Sequence, residues 1–123
     1  MFGMFGSGKV KAECLGDTLG PMQTYAGLNL HQISNRENFD LQEDAYKLLQ
    51  DTIGEQKSYL ELEKICATWL AILNSVEQSS NHTFSHNRLE LENGFKEFLS
   101  LRVNDVVKQG MPSGLFSLIK KFL

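Results

Sequence analysis

The stretch SYLELEKICATWLAILNSVEQ, residues 58–78, decides the fold class. Ser58 and Glu61 have the S-x-x-E spacing of a capping box, in which a hydroxyl and a carboxylate satisfy free backbone N–H groups at a helix start. At about 100° per residue, Tyr59, Leu62, Ile65, Cys66, Trp69, Leu70, Ile72, Leu73 and Val76 fall within an arc of about 160°. Glu61, Lys64, Thr68 and Ser75 take the other side. This spacing predicts an amphipathic helix with a wide apolar face, the central core helix of the chain.

The same period runs upstream and downstream of it. Before it, Asp40 and Glu43 have capping-box spacing, Leu41, Ala45, Leu48, Leu49 and Ile53 share a side, and Gly54 supplies a stop. After it comes a polar stretch, Gln78 to Ser85. A third segment, capped by Asn87 and Glu90, then places Leu91, Phe95, Phe98, Leu99, Val103, Val106 and Val107 on one face until Gly110 and Pro112. Asn93-Gly94 lies inside this run, where it marks either a turn dividing the helix or a glycine at a close helix approach. In a continuous helix Gly94 costs about 1 kcal/mol relative to Ala, for which the close approach compensates.

The N-terminal third reads differently. Glycines 3, 6, 8, 16, 20 and 27 and Pro21 oppose a continuous helix, and Val10, Ala12 and Cys14 alternate with Lys11 and Glu13 as a half-buried strand does. The expectation is therefore a mostly all-α, single small domain of three to four antiparallel helices around Trp69, Phe95 and Phe98. Residues 1–36 form an irregular Gly-rich N-terminal arm with room for a short strand pair, residues 37–110 the helical core, and residues 111–123 a C-terminal amphipathic helix packed on that core.

That C-terminal segment, GLFSLIKKFL, puts Leu115, Phe116, Leu118, Ile119, Phe122 and Leu123 on one helical arc and Ser117, Lys120 and Lys121 on the other. Its Gly-Leu-Phe opening and Lys pair are similar to short amphibian membrane-active peptides of the aurein type, a resemblance that covers ten residues and implies a membrane-surface helix. Ten residues are too few to be helical alone in water, so the apolar face must be buried on the core, on a partner or on a membrane surface, in that order of preference.

Several chemistries are argued against by what surrounds their motifs. Gly3 to Lys9 has the G-x-x-x-x-G-K spacing of a phosphate-binding loop, but only Met1 and Phe2 stand before it, Val10 replaces the magnesium-binding hydroxyl, and no helix signal follows. His82 and His86, with Glu90 four residues on, have metal-ligand spacing, but the residues around them are loop formers and no second cluster completes a site, so they read as solvated loop residues. Glu61 with Glu63, and Glu90 with Glu92, point to different sides of a helix. Neither Cys14 nor Cys66 lies in a nucleophile motif, and the two do not make a disulfide framework.

With 41% hydrophobic and 22% charged residues and a net charge of −3, the composition is that of an ordinary globular chain without the basic face that nucleic acid requires. No signal-peptide pattern and no apolar stretch of about 20 residues is present, which points to a cytoplasmic protein. The expected function is a non-enzymatic helical protein-interaction module: an adaptor, regulator, inhibitor or accessory subunit without a cofactor. The alternatives are a peripheral membrane-surface protein using the C-terminal helix and a metal-dependent enzyme using His82 and His86. Phe2, Phe5, Leu115, Phe116, Ile119 and Phe122 are the candidate partner-binding residues, and exposed Phe and Met side chains at the N-terminus make a homo-oligomer plausible.

Overall fold

In a computed structural model, which describes residues 2–102, 104 and 111–123 with side chains from residue 8 on, the chain is a small all-α domain. Five α-helices follow in order among the described residues: α1 (Phe2–Ala26), α2 (Asn35–Ile53), α3 (Glu61–Gln78), α4 (Arg88–Leu101) and α5 (Ser113–Ile119). Short 3-10 turns stand at Leu30–Gln32, Ser85–Asn87 and Lys120–Phe122, and no strand occurs among the described residues.

The expected irregular arm with its strand pair is instead the longest helix, α1, at 25 residues. The reason lies in a row missed by the alternating reading. Val10, Cys14, Thr18 and Met22 are spaced i, i+4 and are all buried, together with Leu15. Opposite them, Ala12, Gly16, Gly20 and Gln23 face outward, so two of the glycines lie where no packing is lost. Each glycine still costs about 1 kcal/mol of helix propensity, and Pro21 removes an intrahelical hydrogen bond, but burial of the opposite face outweighs these local penalties. Buried polar groups on that face are partnered: the Thr18 and Thr68 hydroxyls both donate to the Cys14 carbonyl, the latter at 3.0 Å.

Helix α2 begins earlier than its expected cap. Ser34 is the N-cap, accepting from the Glu37 N–H at 3.2 Å, and this cap displaces the Asp40/Glu43 pair into the helix. At its other end Gly54 follows Ile53 with φ +99°, a backbone conformation that only glycine adopts without strain, so the expected stop is where the helix ends.

Helix α3 is the centre of the fold, with all side chains from Leu62 to Leu73 buried. Leu60 rather than Ser58 is its N-cap, and Glu63 rather than Glu61 closes the first turn by accepting from the Leu60 N–H at 2.8 Å. Such all-round burial extends to the face expected to be polar. Lys64 reaches Asp17 at 2.9 Å and Glu13 at 3.0 Å on α1, and Thr68 bonds to Cys14 as above. Burial pushes the Lys64 ammonium down, but the hydrogen bonds it donates to the two carboxylates and their charge outweigh it and hold it above its ordinary value. Because α1 covers this face, the polar residues of α3 became the bonds that tie the two helices together.

Helix α4 lies across α3 and the end of α1. Trp69 stacks with Phe95 and Phe98 at centroid distances of 5.1 and 5.7 Å, and its indole N–H donates to the Leu91 carbonyl at 3.0 Å. Gly94 stands at a close approach: a Cβ there would lie 2.9 Å from both the Ala26 Cβ and the Tyr25 carbonyl oxygen. The Asn93-Gly94 pair is thus inside a continuous helix that makes contact with α1. Helix α4 itself ends at Leu101, and the expected continuation through Val103, Val106 and Val107 falls outside the described residues.

Helix α5 sets Leu115 and Ile119 into the main hydrophobic cluster, both fully buried. It reaches α2 closely enough that a Cβ on Gly114 would stand 2.6 Å from the Thr52 carbonyl oxygen. The polar loop between α3 and α4 also contributes to the core, through Phe84, which is 1% exposed.

Candidate functional site

The phosphate-loop spacing is absorbed into secondary structure. Gly3, Gly6, Gly8 and Lys9 all lie within α1, a helical backbone that does not curl around an anion as a phosphate loop does. Lys9 is exposed. The metal reading meets a similar obstacle: among the described residues no three His, Cys, Asp or Glu side chains come together in a way that could hold an ion.

His82 nevertheless corrects its expected place as a solvated loop residue, because it is buried while His86 and His31 are exposed. Its ring is drawn in by the neighbouring Phe84, with ring centroids 6.1 Å apart. Its Nδ1 accepts from the Phe84 N–H at 3.2 Å, and its Nε2 stands 3.3 Å from Glu37 Oε2 of α2 without making a hydrogen bond. Glu37 also accepts from the Thr83 N–H at 3.1 Å and from the Thr83 hydroxyl at 2.8 Å. Burial pushes the Glu37 carboxyl up, but the hydrogen bonds from Thr83, the electrostatic pull of the His82 ring and the bond from Ser34 outweigh it and leave it below the usual carboxylate value. Sequence alone offered one signal for this cluster, the S-x-x-E pair Ser34/Glu37, but not its second partner 46 residues away.

Both thiols are embedded. Burial pushes Cys14 up to about 11 and Cys66 up to about 12, so at neutral pH neither provides the thiolate that a cysteine nucleophile needs. Glu63 is committed to the start of α3 and Lys64 to α1, which leaves these buried charges structural tasks.

The six candidate partner-binding residues separate into three groups. Leu115 and Ile119 are core residues and present nothing to a partner, because α5 turns them into the main cluster. Phe116 and Phe122 are half-buried against that cluster, with the Phe122 ring 5.0 Å from Phe95. The side chains of Phe2 and Phe5 lie outside the described residues. Burial of Leu115 and Ile119 also removes the two most central members of the apolar arc that a membrane-surface helix would insert. No described helix is long and apolar enough to cross a membrane.

Two grooves among the described residues border the C-terminal half of α3. One groove, of about 470 Å³, runs between α2 and α3 and is lined by Asp44, Leu48, Ala71, Asn74, Ser75 and Gln78. A second, of about 260 Å³, lies on the other side of α3 and is bordered by Leu73, Asn74, Glu77, Lys96, Lys121 and Phe122. Asn74 belongs to both, so the two grooves flank one exposed ridge made by Asn74, Glu77 and Gln78. In the first groove, burial pushes the Asp44 carboxyl up and Asp40 adds to this, while Lys47 opposes them. Sequence reasoning found Phe122 for this region and missed the ridge, since Asn74 and Gln78 look like ordinary solvated positions until the grooves on both sides are seen. No protein-family model, no curated protein and no solved structure matches the chain.

Proposed function

We propose that this chain is a non-enzymatic protein-interaction module, acting as an adaptor, regulator, inhibitor or accessory subunit, and that it engages its protein partner through the ridge at the C-terminal half of α3. The observation that carries this reading is the pair of grooves sharing Asn74, which flank an exposed ridge and are lined by a mixture of polar and apolar side chains. Phe122 borders the second groove and is partly exposed there, and aromatic side chains in such positions are frequent anchors of protein interfaces. The buried, protonated thiols and the structural commitments of Glu63 and Lys64 favour binding over covalent chemistry. A second copy of the chain is a partner of the same class.

Asn74→Arg tests the reading, because it introduces a long charged side chain at the position common to both grooves while leaving the core untouched. Partners captured from the native host by the wild-type chain should be lost or weakened about tenfold with Asn74→Arg, at unchanged helicity and melting temperature. Equal capture by both proteins, together with a strictly monomeric wild type in light scattering, would remove the proposal.

A further inference from the structure

The segment between α3 and α4, residues 79–87, is held shut by very few bonds, and they converge on one carboxylate. Inside the segment, the backbone turns back on itself through His82 N–H to Ser79 O at 3.3 Å, Ser85 N–H to His82 O at 3.0 Å and Asn87 N–H to Phe84 O at 2.9 Å. Apart from the Ser79 N–H to Ser75 O bond at 3.1 Å that closes the last turn of α3, its ties to another element among the described residues are the two bonds from Thr83 to Glu37 and the approach of His82 to the same carboxylate. Beneath them Phe84 fills a place in the main hydrophobic cluster.

The chemistry of the His82 ring makes this closure depend on one proton. Since Nδ1 accepts the Phe84 N–H, the ring is neutral with its proton on Nε2, which faces Glu37 Oε2. A second proton must go to Nδ1. There it would meet the Phe84 N–H head-on, so the ring can accept it only by giving up the bond that fixes the backbone next to Phe84. The side chain is 4% exposed, too deep for water to solvate the resulting imidazolium in place. Among the described residues the charged group acting on the ring is Glu37 of α2; its attraction for the imidazolium opposes opening, and burial outweighs it, leaving His82 below its ordinary value.

We propose that the bond from the Phe84 N–H to His82 Nδ1 is a proton-operated latch: neutral His82 keeps residues 79–87 closed over the core, and proton uptake at Nδ1 breaks that bond, releases the segment and withdraws Phe84 from its socket. The closed state binds the proton less well than the open one, so closure is at full strength above the ordinary histidine value and weakens as pH falls below it. The opened face joins Phe84 to a socket in the main cluster, which is an apolar surface absent at neutral pH.

Amide hydrogen exchange and histidine titration by NMR on the full chain, from about pH 7.5 to about pH 5, test the latch. After correction for intrinsic exchange, protection of the Thr83 and Phe84 amides should fall by up to about tenfold per pH unit below about 6.5, while the Ile72 amide in α3 keeps its protection. His82→Asn places an amide oxygen where Nδ1 accepts and does not titrate, so it should flatten the pH dependence at both amides. If that variant does not fold, the wild-type data decide alone. A His82 midpoint at or above the ordinary value, pH-independent protection at Thr83 and Phe84, or a parallel loss at Ile72 would each overturn the proposal.

Discussion

Replacing Gly94 by Ala adds one methyl group between α4 and the end of α1, and two opposing effects set the result. In favour of the change, Ala gains about 1 kcal/mol of helix propensity over Gly at an interior helical position. Against it, the new Cβ would stand 2.9 Å from the Ala26 Cβ and 2.9 Å from the Tyr25 carbonyl oxygen, well inside ordinary van der Waals contact. Neither neighbour is the flexible end of a side chain. The last turn of α1 would have to move, and Tyr25 there packs edge-on against Phe98 with a centroid distance of 5.7 Å. Forced overpacking of this kind costs about 1–3 kcal/mol, so Gly94→Ala should be destabilising by a net of about 1 kcal/mol, lowering the melting temperature by about 4 °C. Gly16→Ala supplies the control, because it is the same chemical change in α1 with nothing within 4 Å of the added Cβ. It should stabilise by about 0.5–1 kcal/mol. Urea unfolding of both variants, followed by circular dichroism and by the fluorescence of Trp69, gives the two free-energy changes directly. Equal stabilisation by the two substitutions would refute the close packing of α1 on α4.

Two further outcomes follow from the buried polar groups. Lys64→Met removes the ammonium that joins Glu13 and Asp17 while keeping most of the stem; because the two carboxylates retain access to water, the loss should be about 1–2 kcal/mol in urea unfolding, and it should shrink when salt is added. Cys14 and Cys66, both buried and protonated at neutral pH, should resist a thiol reagent such as dithiobisnitrobenzoate in the native protein and react fully in denaturant, with fast labelling of either thiol in native buffer contradicting their placement in the core.

Legibility of the fold followed the strength of local periodicity. The run from Leu62 to Val76 carries its own helical pattern, Gly54 its own stop, and Asn87 the position before α4, so these elements could be read without tertiary knowledge. Gly94 was readable as a choice between turn and close approach, and only the position of Ala26 and Tyr25 resolved it. Helix α1 was hidden because its glycines and proline are unfavourable locally, and the compensating burial of Val10, Cys14, Thr18 and Met22 exists only when α2 and α3 are there to cover them. The candidate site was less legible still. Asn74 carries no motif, and the ridge it forms exists because α2 and α4 leave grooves on either side of α3.

By itself the sequence determined that this chain makes helices from residue 37 onward, that Trp69, Phe95 and Phe98 are apolar centres, and that Phe and Met stand near one terminus and Phe and Leu near the other. These are properties of side chains and of the 3.6-residue period, which act within a few turns. The tertiary structure decided what each polar residue is for. Lys64 and Thr68 look like a solvent face and are buried ties to α1, while His82 looks like a loop residue and closes the α3–α4 segment against Glu37. It likewise set Leu115 and Ile119 into the core. Burial is a property of what lies opposite a residue, and partners 46, 51 or 54 positions away along the chain leave no periodic trace in the residues between them.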